Sequence, residues 1–130
     1  EQVAARTGTV VYLEPLNRYQ DHMINTLADA RRYIVENDLK HVQIIGDFYH
    51  MNIEEDNLAQ ALHDNRDLLG HVHIADNRGY QPGSGNLDFH ALFEQLRADN
   101  YQGYGGYEGR IRAEDPAQAY RDSLAWLRTC

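Results

Sequence analysis

Four times along the chain a short apolar run carries, at its carboxyl end, a residue able to bind a metal. Val10-Val11-Tyr12-Leu13 runs into Glu14, Val42-Gln43-Ile44-Ile45 into Gly46-Asp47, and Tyr104–Tyr107 into Glu108, while His71-Val72-His73-Ile74 holds His73 near its end. The runs begin near residues 10, 42, 71 and 104, at intervals of 32, 29 and 33 residues. Amphipathic stretches lie between them, so the chain reads as strand and helix in alternation. Parallel strands need crossover connections of this kind, and the pattern predicts a parallel α/β sheet. In such sheets functional groups collect at the carboxyl ends of the strands, which is where all four residues fall.

The connecting stretches carry helix signals. Asp21 is expected to cap a helix that places Met23, Leu27, Ala30 and Ile34 on one stripe. Glu54, Glu55 and Asp56 suit the positive end of a second helix, buried through Leu58, Ala61 and Leu62. Asp88 precedes Phe89, Leu92, Phe93 and Leu96, and Asp115-Pro116 opens a last helix carried by Tyr120, Leu124 and Leu127. The glycines and proline of Asp76–Asn86 mark a loop. The opening EQVAART reads as the tail of a helix before the first strand, as though an earlier half had been removed.

A closed (β/α)₈ barrel of ~250 residues gives about 31 to each unit, so four such units are half of one. The expectation is a single α/β domain over 1–130, a (β/α)₄ half of a TIM barrel. Alternation along the strands puts Val10, Tyr12, Gln43, Ile45, His71 and Tyr104 on the inner face with the four chemical residues. Val11, Leu13, Val42, Ile44, Val72 and Ile74 face the helices. A lone half-barrel leaves its inner face and two strand edges open. Pairing with a second copy, a homodimer closing one barrel, would cover both.

With 20 acids against 12 bases and a net charge of −8, the chain is a poor binder of phosphate backbones, and nucleic acid is not expected as a partner. The acidity suits a carboxylate-lined site that attracts a cation. No apolar run is long enough to span a membrane, and the first residues lack the layout of a secretory signal. A single cysteine, Cys130, excludes an internal disulfide and fits a reducing, cytoplasmic setting; it reads as a terminal residue rather than a nucleophile.

Glu14, Asp47, His73 and Glu108 offer three carboxylates and one imidazole, a hard donor set suited to Mn²⁺ or Mg²⁺ more than zinc. His22, His41, His63 and His90 are expected to be solvated, and His71 to have a structural hydrogen bond.

The segments LEPLNRY (13–19), GDFYHMNIEE (46–55), GHVHIAD (70–76), PGSGNLDF (82–89) and YQGYGGYE (101–108) resemble the sugar isomerase/epimerase family. These are the xylose-isomerase-like barrels that include the D-tagatose and D-psicose (allulose) 3-epimerases, and the resemblance is to their C-terminal half. It implies that Glu14, Asp47, His73 and Glu108 bind a divalent metal and that Glu14 and Glu108 move a proton on either face of a ketose carbon. It also implies that His50 and Arg78 contact a small sugar substrate. Gln20 stands where the family often has a glutamate near the substrate, and Arg78 lies five residues after His73 rather than six. Two other functions remain open. One is a non-catalytic half-barrel acting as a metal-binding or interaction module. The other is a nuclease of the endonuclease IV type, which needs more histidines at strand ends and a basic groove, and this chain offers neither.

Overall fold

The computed structural model describes all 130 residues, Glu1–Cys130. Four strands, β1 (Val11–Leu13), β2 (Val42–Asp47), β3 (Leu69–Ile74) and β4 (Tyr104–Tyr107), pair in sequence order, each neighbour parallel. Six helices accompany them: α1 (Gln2–Thr7), α2 (Leu27–Glu36), α3 (Phe48–Glu54), α4 (Leu58–Asp64), α5 (Phe89–Ala98) and α6 (Pro116–Leu127). This is the half TIM barrel that the spacing of the apolar runs predicts. The register sets Asp47 beside His73 and His73 beside Gly106, so the strand ends lie level with one another.

The core occupies the side of the sheet that faces the helices. Val42, Ile44, Val72 and Ile74 are buried against Leu27, Ala30 and Ile34 of α2, Phe48 and Met51 of α3, Leu62 of α4, and Phe89, Leu92 and Leu96 of α5. Burying a side chain of this size stabilises the fold by about 1.5–3 kcal/mol, so this one-sided layer is what holds the strands in place. The other face is open: Tyr12 is 47% exposed and Tyr104 83%. No helix is long and apolar enough to cross a membrane.

Four local expectations need correction. The helix expected from Asp21 starts at Leu27, capped by the Thr26 hydroxyl, which accepts the Asp29 N–H. Asp21 instead folds a turn on the N–H groups of His22 and Met23, and Met23 is exposed. The second helix is preceded by an unexpected one, α3, and begins at Leu58 with Asn57 as its cap, beyond the acids that were expected to start it. In α6 the buried side chain is Ser123, while Tyr120 stays exposed. Two of the histidines expected to be solvated are paired: His41 Nδ1 bonds Glu1 and His63 Nδ1 bonds Asp99, the latter tying α4 to the end of α5.

The long loop after β3 is organised by Asp76, whose side chain is almost wholly buried. One carboxylate oxygen accepts the N–H groups of Asn77 and Leu87, the other those of Gly83 and Gly85. Gly83 takes a left-handed φ of 85° under the Trp126 ring, and Ser123 Oγ donates to the Pro82 carbonyl. The loop is therefore a built segment of the rim above β3.

Candidate metal and active site

Each strand end supplies one group. Asp47 is the last residue of β2, His73 the penultimate residue of β3, and Glu14 and Glu108 follow directly on β1 and β4. Their four ligand atoms all lie within 4.8 Å of one another. His73 Nδ1 is 2.8 Å from Glu14 Oε1 and 3.5 Å from Asp47 Oδ2, and it also contacts Glu108 Oε2. A single ring N–H can serve only one of those oxygens at a time. Three acids around one imidazole leave a net negative charge that a divalent cation would offset. The donor set, three carboxylates and one ring nitrogen, fits a hard divalent cation.

Burial is graded across the cluster. Asp47 is buried, the His73 and Glu14 side chains are 18% and 28% exposed, and Glu108, at 62%, forms the outer lip. Burial pushes the Asp47 carboxyl above the usual carboxylate range, opposed by the backbone N–H of His50 and helped by Glu14. His71, one layer below, has its ring edge-on to His73 at 5.0 Å between centroids. Burial, and then His73, push the pKa of His71 down, as suits a neutral structural ring.

Asp47 owes its position to α3. Its Oδ1 accepts the His50 N–H at 2.9 Å, so the carboxylate that ends β2 also caps the helix. Phe48 and Met51, three apart, bury that helix against the core. His50, on the same turn, is 8% exposed, and its Nδ1 faces the backbone N–H and side-chain amide of Asn17.

Above the cluster opens a cavity of about 630 Å³ lined by Glu14, Asp47, Glu108, His50, Gln20, Tyr49, Arg110 and neighbours. That volume is in the range of small-molecule sites. Gln20 and His50, expected at a substrate site, are among its walls; Arg78 is not. Arg78 points along its own loop and donates to the Ser84 carbonyl at 2.9 Å. The cationic group at the cavity is Arg110, which the sequence reading did not single out. Its backbone N–H donates to the Gly79 carbonyl and its guanidinium lies 4.9 Å from the centre of the Tyr80 ring. Its spacing from Glu108, two residues in extended chain, is the signal that could have found it. Tyr49 was missed with the helix that carries it.

The chain is 96% identical over 130 residues to 3-dehydro-D-guloside 4-epimerase of Escherichia coli (strain K12), covering all of this chain and 50% of that protein. It is 38% identical over 102 residues to a D-psicose 3-epimerase of Enterocloster bolteae, covering 78% of this chain and 34% of that protein. Among solved structures, the apo form of 3-keto-D-glucoside 4-epimerase from E. coli matches with a TM-score of 0.98 at 96% identity, over 99% of this chain and 49% of that one. The chain thus spans half or less of the length of these relatives. Residues 1–130 match the family model described as xylose isomerase-like TIM barrel, and the chain belongs to that family.

Proposed function

We propose that this chain carries the metal-binding and proton-transfer half of a sugar epimerase that inverts a carbon next to a ketone. The observation that carries this reading is the convergence of Glu14, Asp47, His73 and Glu108 from four successive strand ends to within 4.8 Å. The names of the two relatives, a 3-dehydro sugar 4-epimerase and a psicose 3-epimerase, both denote inversion beside a carbonyl carbon. The near-identity to the first favours a 3-keto glycoside over a free ketohexose as substrate.

Glu14, Asp47, His73 and Glu108 would hold Mn²⁺ or Mg²⁺. Such an ion supplies positive charge that stabilises the negative charge developing on substrate oxygens. The protein's own part is the proton. Glu14 and Glu108 approach from β1 and β4, the two outer strands of the sheet. In one direction of the reaction the carboxylate of one takes the proton from the carbon beside the ketone, leaving an enediolate. The carboxylic acid of the other returns a proton to the opposite face of that carbon. One base alone would hand the proton back to the side it left. Glu108, the more exposed of the two, can exchange its proton with solvent between turnovers. His50, Gln20 and Arg110 line the cavity and would hold sugar oxygens.

The open inner face bears on the assembly. β1 and β4 each keep an unpaired edge, and Tyr12 and Tyr104 stand exposed between them. A second copy paired along those edges, closing one barrel, would cover both. The same open face favours a second reading, a half-barrel that binds metal without turnover, because part of the cavity wall must come from beyond these strands.

The test is deuterium exchange in heavy water with Mn²⁺ present, using a 3-keto glucoside and D-psicose, on protein whose mass has been fixed by light scattering. The expected result is deuterium at the carbon beside the ketone with formation of the epimer, lost in Glu14→Gln and Glu108→Gln. A metal-loaded dimer that exchanges no proton on either sugar would overturn the epimerase reading and leave the binding module.

A further inference from the structure

Asn17 lies in the loop after β1, is 1% exposed, and sits directly against the His50 ring. Its side-chain orientation is settled by a neighbour that can only donate: the Tyr19 backbone N–H points at Asn17 Oδ1, at 3.0 Å. The other end of the amide, Nδ2, is therefore the end that faces His50, 2.8 Å from Nδ1. The Asn17 backbone N–H is aimed at the same ring nitrogen, at 3.1 Å. Two N–H donors on one ring nitrogen leave it only the role of acceptor, so the proton of a neutral ring sits on Nε2. Nε2 has no hydrogen-bond partner within the protein, and the ring lines the cavity.

The surroundings hold this arrangement in place. His50 is fixed from below by its own N–H on Asp47 Oδ1. The loop that carries Asn17 is fastened to the far end of α3 by Arg18, whose backbone N–H and guanidinium both bond the Glu54 carboxylate. Loop and helix are thus joined at two points, with Asn17 and His50 at the buried one.

We propose that Asn17 is a positioning residue that locks His50 as the Nε2–H tautomer, so that His50 meets the substrate as a neutral hydrogen-bond donor and not as a base. The group it recognises is then an oxygen with a free lone pair, such as a ketone oxygen, whose negative charge grows as the neighbouring proton leaves. A hydroxyl held as a donor would find no acceptor on this ring. Proton abstraction falls to the carboxylates. The identity of that substrate oxygen rests on the epimerase reading; the tautomer does not.

The experiment is long-range proton–nitrogen NMR of the full chain with ¹⁵N-labelled histidine, in Mg²⁺, with the His50 signals assigned by their loss in His50→Gln. The expected spectrum has His50 protonated at Nε2 and unprotonated at Nδ1. Asn17→Asp puts an acceptor where Nδ2 stands and should bring a proton to Nδ1, whereas Asn17→Ala keeps the backbone N–H on Nδ1 and should retain the Nε2–H form. Amide dispersion in each variant reports that the fold is intact. A wild-type ring protonated at Nδ1, or a folded Asn17→Asp whose ring stays protonated at Nε2 alone, would overturn the proposal. Neither outcome depends on turnover, so a failed exchange assay sinks the epimerase reading while the spectrum decides the tautomer.

Discussion

Asp47 and His50 are joined across the first turn of α3, and the same carboxylate that accepts the His50 N–H through Oδ1 reaches toward His73 through Oδ2. One side chain therefore ends a strand, starts a helix and contributes to the acidic cluster. These roles can be separated. Asparagine caps helices about as well as aspartate, whereas alanine at a cap costs about 1 kcal/mol. Because burial raises the Asp47 pKa, its ionised form weighs against the metal-free fold at neutral pH. Asp47→Asn should melt at or above the wild type without metal and Asp47→Ala below it, while neither gains from Mn²⁺. Thermal melts of the three proteins with and without the ion check this. A metal-free Asp47→Asn that melts well below the wild type would mean the carboxylate itself is stabilising.

Asp76 predicts how the rim is held. Its two oxygens each take two backbone N–H groups of the segment from Asn77 to Leu87. Asp76→Asn turns an NH₂ group on one of those pairs, and hydrogen bonds to a charged group are worth about 1.5–3 kcal/mol each. A loss of about 3 kcal/mol in urea unfolding is expected, with faster hydrogen exchange at Gly83 and Gly85 if the charged acceptor was replaced on their side. Unchanged stability would show that the loop is held by Trp126 and Ser123 instead.

Tyr101 gives a pH dependence with a definite sign. Burial first, and then the Tyr12 phenol, push its pKa from 10.0 up to about 12. A group whose folded pKa is raised contributes stability that is complete below the unfolded value and is lost as the pH climbs through the folded one. Stability should therefore fall between pH 10.0 and about 12, and Tyr101→Phe should flatten that fall. Ultraviolet titration of the phenols alongside denaturant melts reads both. An equal alkaline loss in Tyr101→Phe would assign the effect elsewhere.

The strand ends were legible because two patterns coincide there. Val42 and Ile44 alternate with Gln43 before Asp47, and the same inward register recurs at His73, so period and chemistry point to one face. Asp88 and Asp115 likewise announce α5 and α6, and both side chains cap them. The start of α2 was misplaced because Met23 continues the stripe of Leu27 by spacing alone, while the Thr26 cap carried the actual signal. Helix α3 was hidden by its start: its cap, Asp47, already read as the end of a strand. Arg110 stayed out of sight for another reason: it lies beyond the end of β4, in a segment that a bridge between Tyr80 and Arg110 holds at the cavity. Arg78, assigned by its place in the third loop, is turned away by that loop's own folding.

A divalent-metal site made by four strand ends of one chain is open to calorimetric titration with Mn²⁺. Saturable binding at one ion per chain is expected, absent in Glu14→Gln and His73→Gln, with a stabilisation of about 2.7 kcal/mol once free Mn²⁺ stands at a hundred times its dissociation constant. No saturable binding, or binding that survives both substitutions, would contradict it.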